Sequence, residues 1–560
     1  MKKILLSLLL SSLFLAACTK VEEPPVVIEE PKPTAEEIQA QREAQHQALE
    51  AQRKLDLVEF YVPLPGLNDV VELETVVAKG LYITANVAGF DFVEADIDAY
   101  IAYIQAQAQG QTGDEASIAN VNKLERILAM AQATEINTLV IDVKNDLGLV
   151  TWDSDIAIVD QIGSNWETSW RDPSKLLSYL DAKNIYTIAR IVAFKDPYFA
   201  KKFPEHAIQL LSGGVYLDKA GYSWVNPFDE YVWNYLIAVA QEAALRGFDE
   251  IQYDYVRFPD NAKYYNPITE FPGRNVRDKD EAIEQFLQKA QIALEPYKVH
   301  VAADVFGVIT HSWEDQPEDI GQTWLKIAQV TDYICPMVYP SHYGVGFYGY
   351  DVPDAHPYEI IRMALQEGLE RSAAQNNPSV IRSWIQGFTA NWVKGYIEYD
   401  SNAIKAQIRA LNSLGLEEYI IWQSSNIYEF EAYLPDTSPI PSQAEGVDIL
   451  DRRPEEALKR YLEAQLYQRY NHLYLLTPIQ ERAADYDQFY LEETLNNPKL
   501  TSYEIVSVQA QSDGTYLATV NAKLVSDLGQ AVLENATYTI RLENRVYKIS
   551  APEIQYIKES

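Results

Sequence analysis

Two aspartates stand near the ends of apolar runs, where a buried carboxylate needs a reason to exist. In FDEIQYDYV (248–256), Asp254 follows Gln252 with the period of two that puts both side chains on one face of a strand. In KVHVAADVFG (298–307), Asp304 stands in the corresponding place. A carboxylate taken out of water is costly unless it is paired or hydrogen-bonded. Both residues are therefore candidates for function rather than for packing.

Charged and aromatic residues lie within, at the end of or just after other apolar runs. These residues are Asp142, Lys144, Arg190, Tyr339, His342 and Trp422. Glycoside hydrolysis needs one carboxylate that attacks or activates water and a second carboxyl group that protonates the leaving oxygen. Aromatic faces can stack on sugar rings, and planar polar groups can bind sugar hydroxyls. We therefore predict that Asp254 and Asp304 are catalytic and that the other six residues contact the sugar.

The same residues also have a structural interpretation, which the sequence leaves open. Asp254 could serve only as an ion-pair partner of Arg190 or Arg257. Asp142 and Lys144 could form a salt bridge at the mouth of the fold. Under this interpretation the protein would bind a glycan without cleaving it.

The positions of the runs predict the elements that hold these residues. Eight short apolar runs alternate with segments of helical periodicity, and they cover 80–88, 136–146, 185–194, 248–256, 298–307, 331–340, 379–388 and 417–425. Strands that alternate with helices form parallel βαβ units, and eight such units predict a (β/α)₈ barrel over 78–435. Its active site would lie at the carboxyl ends of the strands. An open doubly wound sheet is the alternative, but no glycine-rich phosphate loop follows the first run.

A different pattern follows the barrel. Residues 436–450 are rich in proline and serine and predict a linker. Residues 451–560 begin with a helical pattern, for which Asp451 is a possible N-cap, and end in alternating runs separated by turn signals. We predict a small α+β domain here, with a faint resemblance to the nuclear transport factor 2-like fold.

The first 77 residues have features of an exported protein. Two lysines precede an apolar stretch, and Leu15-Ala16-Ala17-Cys18 resembles the lipobox of bacterial lipoproteins. The resemblance implies cleavage before Cys18, lipidation of its thiol, and a membrane-anchored protein of the cell envelope facing the periplasm or the exterior. Residues 19–77 are rich in proline and glutamate and then in alanine and glutamine, which predicts a tether and a helical spacer. An ordinary secretory signal is the alternative.

Composition and motifs exclude several other functions. The formal charge of −35 argues against nucleic-acid binding, because phosphate contacts need a basic surface. The histidines are scattered, and neither metal-ligand spacing nor a Gly-x-Ser-x-Gly elbow occurs. We therefore predict no metal and no cofactor. Hydrolysis of another bond, such as removal of an acetyl group, is disfavoured for the same reason.

The region from about 78 to 430 resembles a glycoside-hydrolase-type domain of bacterial exported proteins, long catalogued as a domain of unknown function. The matching stretches are GLYITANVAG, NTLVIDVKNDLG, ARIVAFKDP, WVNPFDEYVWNY, IQYDYVRFP, ADVFG and DYICPMVYPSHY. The resemblance implies a barrel related to glycosidases that act on α-linked glucans and similar polymers. It implies that Asp254 is the nucleophile, and it puts Asp304 where relatives usually have a glutamate as the acid.

These observations together predict a surface-anchored glycoside hydrolase that cleaves a polysaccharide with a pair of carboxylates. The alternative is a non-catalytic lipoprotein that binds glycans or holds an envelope assembly together. Both functions imply a polysaccharide or oligosaccharide ligand, and the sequence does not identify protein partners.

Overall fold

The structure is a computed structural model of the chain. It describes residues 34–67, 75–166, 168–311, 315–440, 443–496, 499–526 and 529–552. The predicted signal peptide, the lipobox and Cys18 lie outside the described residues. Among the residues that it does describe, no helix is both long and apolar enough to cross a membrane.

Eight parallel strands form a closed barrel, as the sequence predicts. They are β1 (Lys79–Ile83), β2 (Thr138–Lys144), β3 (Tyr186–Val192), β4 (Glu250–Asp254), β5 (His300–Phe306), β6 (Tyr333–Val338), β7 (Ser383–Gln386) and β8 (Tyr419–Trp422). Each strand pairs in parallel with the next. The pairing of β8 with β1 closes the sheet. The predicted (β/α)₈ architecture is therefore confirmed.

The strands read as nearly continuous apolar runs because both of their faces are covered. Every residue of β2, β3 and β4 is buried, including the polar ones. Barrel strands face packed side chains inside and helices outside, so they lack the alternation of a half-exposed sheet. The first predicted run, 80–88, extends beyond its strand because Thr84 accepts a hydrogen bond from the Val87 N–H and starts a short helix.

Helices connect the strands and cover the outside of the barrel. Helix α1 (Ala35–Leu57) precedes β1 in the chain. The helices between β1 and β4 are α2 (Ala85–Ala88), α3 (Glu94–Ala108), α4 (Lys123–Ala133), α5 (Ala157–Ile162), α6 (Ser174–Ala182), α7 (Pro197–Lys202) and α8 (Glu230–Leu245). The helices from β4 to β8 are α9 (Ala262–Tyr265), α10 (Lys279–Leu294), α11 (Trp324–Ala328), α12 (Pro357–Ser372) and α13 (Ser401–Ser413). Short 3₁₀ turns lie in several of the loops, one of them at Pro340–His342.

The α8 helix shows how local sequence sets the bounds of an element before a functional strand. Asp229 caps its first turn by accepting a hydrogen bond from the Tyr231 N–H. The helix ends just before Gly247, whose φ of 102° is a conformation that favours glycine. Gly247 therefore turns the chain into β4, which carries Asp254, as the sequence predicts.

The described residues before the barrel begin with the helix α1, and the tether and spacer proposed for 19–77 stay a prediction. Residues 34–51 belong to a compact unit of their own, and nearly all of the described side chains are exposed in this part of α1. Its residues are mainly Ala, Gln and Glu, so it has few apolar side chains to bury.

The C-terminal region contains three helices and an antiparallel sheet. They are α14 (Pro454–Tyr467), α15 (Tyr470–Leu476), α16 (Tyr486–Asn496), β9 (Lys499–Ala510), β10 (Tyr516–Ser526), β11 (Gly529–Glu543) and β12 (Val546–Ser550). The hairpin prediction is confirmed, and the likeness to the nuclear transport factor 2-like fold stays a prediction. The suggestion that Asp451 caps α14 is wrong. Asp451 has a left-handed φ of 60° and instead pairs with Arg362 on α12 at 2.6 Å.

Candidate active site

The guanidinium of Arg190 lies between two carboxylates near the mouth of the barrel. Its Nη2 donates to Asp254 Oδ2 at 2.5 Å, and its Nε donates to the same oxygen at 3.0 Å. Its Nη1 donates to Asp142 Oδ1 at 2.6 Å. All three side chains are more than nine-tenths buried. Paired donors in the fixed geometry of a guanidinium orient a carboxylate as well as stabilise its charge.

Strand register explains why these side chains meet. Asp142 on β2 lies opposite Arg190 on β3, and Asp254 on β4 lies opposite Val192, two residues further along β3. The other oxygen of Asp142 accepts a hydrogen bond from the Tyr82 hydroxyl at 2.5 Å. Burial nevertheless raises the pKa of Asp142, against the opposing effect of Arg190. Both oxygens of Asp142 are therefore used within the protein.

The backbone beyond Asp254 holds the second oxygen of this carboxylate. The Tyr255 N–H donates to Asp254 Oδ1 at 2.6 Å. Tyr255 has a φ of 49°, a left-handed conformation that a bulky side chain adopts only when its surroundings impose it. The chain thus turns sharply at the end of β4, and this turn directs an N–H group at the carboxylate.

Asp304 has a different environment from Asp254. Its Oδ1 accepts a hydrogen bond from Trp384 Nε1 at 2.6 Å, and its Oδ2 has no hydrogen-bond partner among the described residues. The side chain is 1% exposed and has no ion-pair partner in the described part of the chain. Burial, reinforced by the nearby charge of Asp254, raises the pKa of Asp304 well above its usual range. The surroundings of Asp304 therefore favour its protonated form.

A cavity of about 440 Å³ opens at the carboxyl ends of the strands beside both aspartates. Of the residues predicted from the sequence, it is lined by Asp254, Asp304, Arg190, Tyr339, His342 and Trp422. These residues lie on β3, β4, β5 and β8 and just after β6, so several strands of the barrel contribute to one site. A concave site with a few convergent polar groups among aromatic walls is typical of a ligand-binding pocket.

Aromatic rings form much of the wall of the cavity. Trp422 stacks on Tyr82 with ring centroids 4.2 Å apart, and the Arg190 guanidinium lies 5.3 Å from the Trp422 ring. On another side, Tyr339 packs edge-on against His342 at 5.4 Å. Burial lowers the pKa of His342, so its imidazole is neutral at neutral pH.

Two of the eight predicted residues do not line the cavity. Asp142 contributes through Arg190, as described above. Lys144 is fully buried, and its Nζ pairs with Asp196 at 2.9 Å and donates to the Val192 carbonyl at 2.6 Å. The register of β2 against β3 shifts between Asp142 and Lys144, so the alternation that would give them a common face is broken. The salt bridge of Lys144 is thus with Asp196, and the suggested Asp142–Lys144 salt bridge is wrong.

The structure adds residues that were not predicted for the site. They include Tyr255, Arg257, Phe306, Tyr343, Phe347 and Trp384. Arg257 donates to Asp260 at 2.8 Å and does not pair with Asp254, while its guanidinium lies 4.4 Å from the Phe306 ring. A signal for Trp384 was present, because the period of two puts it on the same face of β7 as Gln386. Among the described residues, no group of three His, Cys, Asp or Glu could hold a metal ion.

A family model described as "Putative glycosyl hydrolase domain" matches residues 114–428, more than half of the chain. The chain belongs to this family, and its function is therefore of the glycoside hydrolase type. The match begins after β1 and ends after β8, so it includes both aspartates of the cavity. No curated protein matches the chain.

Solved structures with a similar course of the chain include three that differ in coverage. A hypothetical protein from Ruminiclostridium thermocellum shares 32% identity over 40% of this chain and 97% of its own, with a TM-score of 0.31. The PgaB (BpsB) glycoside hydrolase domain from Bordetella bronchiseptica shares 11% sequence identity over 63% of this chain and 95% of its own, with a TM-score of 0.37. An α-galactosidase from Thermus thermophilus shares 11% sequence identity over 57% of this chain and 57% of its own, with a TM-score of 0.34. At these scores none of them bears on the reaction of this chain.

Proposed function

We propose that the chain hydrolyses a glycosidic bond of a polysaccharide, with Asp254 as nucleophile and Asp304 as general acid and base. The observation that carries this proposal is the asymmetry of the two carboxyl groups in one cavity. Asp254 has a guanidinium beside it, whereas Asp304 has no ion-pair partner among the described residues, and burial favours its protonated form. Two carboxyl groups with opposite protonation states are what acid-assisted glycoside cleavage requires.

Asp254 is suited to act as the anionic partner. Two N–H donors of Arg190 and the amide of Tyr255 all point at its oxygens, and each of them stabilises the negative charge. These contacts also fix the orientation of the carboxylate before the substrate arrives. Attack on the anomeric carbon would form a glycosyl-enzyme ester as the bond to the leaving oxygen breaks.

Asp304 is suited to supply the proton in the first step and to accept one in the second. Its Oδ1 is held by Trp384, so the proton on Oδ2 is free of other acceptors among the described residues. Transfer of this proton to the leaving oxygen leaves Asp304 ionised. The ionised group then takes a proton from the water that hydrolyses the ester, and the starting state is restored.

We propose retention of anomeric configuration, supported by the place of the two aspartates on neighbouring strands. β4 and β5 are hydrogen-bonded neighbours, and Tyr253 lies opposite Ala303, so Asp254 and Asp304 occupy the next position on each strand. Adjacent strands are about 4.8 Å apart. Retaining enzymes have carboxyl groups about 5–5.5 Å apart, whereas inverting enzymes need about 6.5–9.5 Å to admit a water molecule.

A second candidate function, glycan binding without cleavage, is favoured by the depth of Asp304. Only 1% of its surface is exposed, so a sugar oxygen can reach the acid only if its surroundings shift. In this case the cavity would bind a sugar through its aromatic walls and polar groups, and the buried carboxyl groups would be structural.

Release of reducing ends from a panel of bacterial and plant polysaccharides separates the two functions. We expect the chain to release ends from at least one polymer, and Asp254→Asn to lose this activity by about a thousandfold or more while remaining folded. Asp181→Asn, at the exposed end of α6, is the matched control and should retain full activity. Full activity of Asp254→Asn would refute the assigned nucleophile. Binding of a polymer without any release would establish the second function.

We further propose that Cys18 anchors the protein to a membrane of the cell envelope, facing the periplasm or the exterior. The support is the lipobox-like Leu15-Ala16-Ala17-Cys18 after an apolar stretch. Labelling with radioactive palmitate should mark the wild type and not Cys18→Ser. Equal labelling of the two would contradict the anchor.

A further inference from the structure

Phe388 and Trp392 lie outside the cavity, and their side chains form a surface that is called here the aromatic shelf. Both follow β7 in the segment GFTANW. Their rings are nearly parallel, at 19°, with centroids 6.0 Å apart. Trp392 is 65% exposed, and Phe388 is half-buried. The shelf therefore presents flat apolar surface to solvent beside the mouth of the barrel.

The shelf is continuous with the wall of the cavity. Phe388 packs edge-on against Tyr339 at 5.8 Å and against His342 at 6.3 Å, and both of these residues line the cavity. A ligand that leaves the cavity past Tyr339 would therefore meet Phe388 and then Trp392. Single exposed apolar residues are common on protein surfaces, but this one ends a row of rings that begins in the proposed active site.

The loop that carries the shelf is tied to buried groups. Gln386 at the end of β7 donates to the Phe388 carbonyl at 3.0 Å and to Asp354 at 3.0 Å. Asp354 is fully buried, and its backbone carbonyl accepts a hydrogen bond from the Tyr399 hydroxyl at 3.0 Å. Hydrogen bonds to buried groups thus fix both ends of the segment 387–399. An exposed tryptophan on a fixed loop is pre-organised to bind a ligand, because little conformational freedom remains to be lost.

We propose that the aromatic shelf binds a sugar unit of the substrate outside the catalytic cavity, which makes the substrate a polymer that extends across the barrel mouth. The proposal rests on the proposed function, and it names the class of substrate as long-chain polysaccharide. The apolar faces of pyranose rings match flat aromatic rings, and the hydroxyls at the ring edge stay in water. The occupant is the same glycan chain that fills the cavity, because the shelf and the cavity share a wall at Tyr339.

The test measures binding rather than cleavage, and Asp254 is replaced so that the polymer is not degraded during the measurement. The full chain carrying Asp254→Asn is run in native gels that contain each polysaccharide of the panel, and retardation is measured against polymer concentration. The same measurement is made with Trp392→Ala, Trp392→Phe and Trp166→Ala added. Trp166 is the matched control because it is 62% exposed on another loop, where its indole N–H donates to the Tyr198 hydroxyl at 2.8 Å.

We expect Trp392→Ala to weaken binding about tenfold, the loss that corresponds to roughly 50 Å² of apolar contact. Trp392→Phe should recover most of the affinity, since an aromatic face remains, and Trp166→Ala should leave it unchanged. The exposed position of Trp392 predicts that all variants keep the thermal unfolding midpoint of the parent.

The possible outcomes separate this proposal from the proposed function. Retardation that depends on Trp392, with no release of reducing ends by the chain that retains Asp254, would support the shelf and refute the hydrolase. Release of reducing ends by the chain that retains Asp254, with equal retardation of the Asp254→Asn chain with and without Trp392→Ala, would support the hydrolase and refute the shelf. If no polymer retards the parent, or if Trp166→Ala weakens binding as much as Trp392→Ala, the shelf is refuted.

Discussion

Replacement of Asp304 by asparagine should abolish turnover and at the same time stabilise the protein at neutral pH. Asparagine has nearly the same shape and keeps an oxygen that can accept the hydrogen bond of Trp384 Nε1. It cannot donate a proton to a leaving oxygen as a carboxylic acid does. Loss of a general acid typically costs about 10²–10⁴ in rate.

The effect on stability follows from the raised pKa of Asp304. The folded state binds this proton more tightly than the unfolded state, whose aspartate has an ordinary pKa near 3.8. Stability is therefore greatest below that pH and falls as pH rises toward the pKa of the folded state. Each pH unit between the unfolded-state and folded-state pKa values of Asp304 lowers the free energy of unfolding by about 1.36 kcal/mol. Asparagine does not titrate, so the variant avoids the cost.

The expected shift in melting temperature is small and depends on pH. An unfolding unit of roughly 500 residues has an unfolding entropy near 1 kcal/mol/K, so each kcal/mol moves the melting temperature by about 1 °C. Scanning fluorimetry at pH 4 and pH 8 should show that the difference between variant and parent moves in favour of the variant as pH rises. Asp181→Asn, the surface control, should show no such trend.

Two results would refute the reasoning. If the variant is less stable than the parent by the same amount at pH 4 and pH 8, Asp304 is not held neutral in the folded protein. If the variant retains the activity of the parent on a cleaved polymer, Asp304 is not the acid, whatever its protonation state.

Two further predictions concern residues that support the barrel. Arg382→Met should lower the free energy of unfolding by about 3–5 kcal/mol, because it leaves the fully buried Glu250 without the guanidinium now 2.7 Å away. Urea unfolding at neutral pH measures this change. A change below about 1 kcal/mol would contradict an ionised pair. Gly148→Ala should lower the free energy of unfolding more than Gly163→Ala does. Both glycines have left-handed φ values, so the backbone strain is shared. At Gly148 the new methyl would also lie 2.1 Å from Asp196 Oδ1, whereas at Gly163 it would meet no atom within 4 Å. Equal unfolding midpoints for the two alanine variants would count against this packing.

The sequence was sufficient to predict the barrel and the places where its chemistry could be. Eight apolar runs alternate with helical segments, and this pattern is local, so each element could be recognised without its partners. Asp254 and Asp304 were found for the same reason, because a carboxylate near the end of a buried strand stands out from its neighbours. The bounds of the first strand were less well predicted, since Thr84 starts a helix within the apolar run.

Only the tertiary structure decided what each of these residues does. The hydrogen bond between Trp384 and Asp304 joins residues 80 positions apart, and the pairing of Arg190 with Asp254 joins residues 64 apart. Protonation of a buried carboxyl group depends on such contacts and on burial, which arise only when distant strands close into a barrel. Lys144 is an example. The sequence predicts a sugar contact for it, but the register shift between β2 and β3 leaves its side chain buried in an ion pair with Asp196.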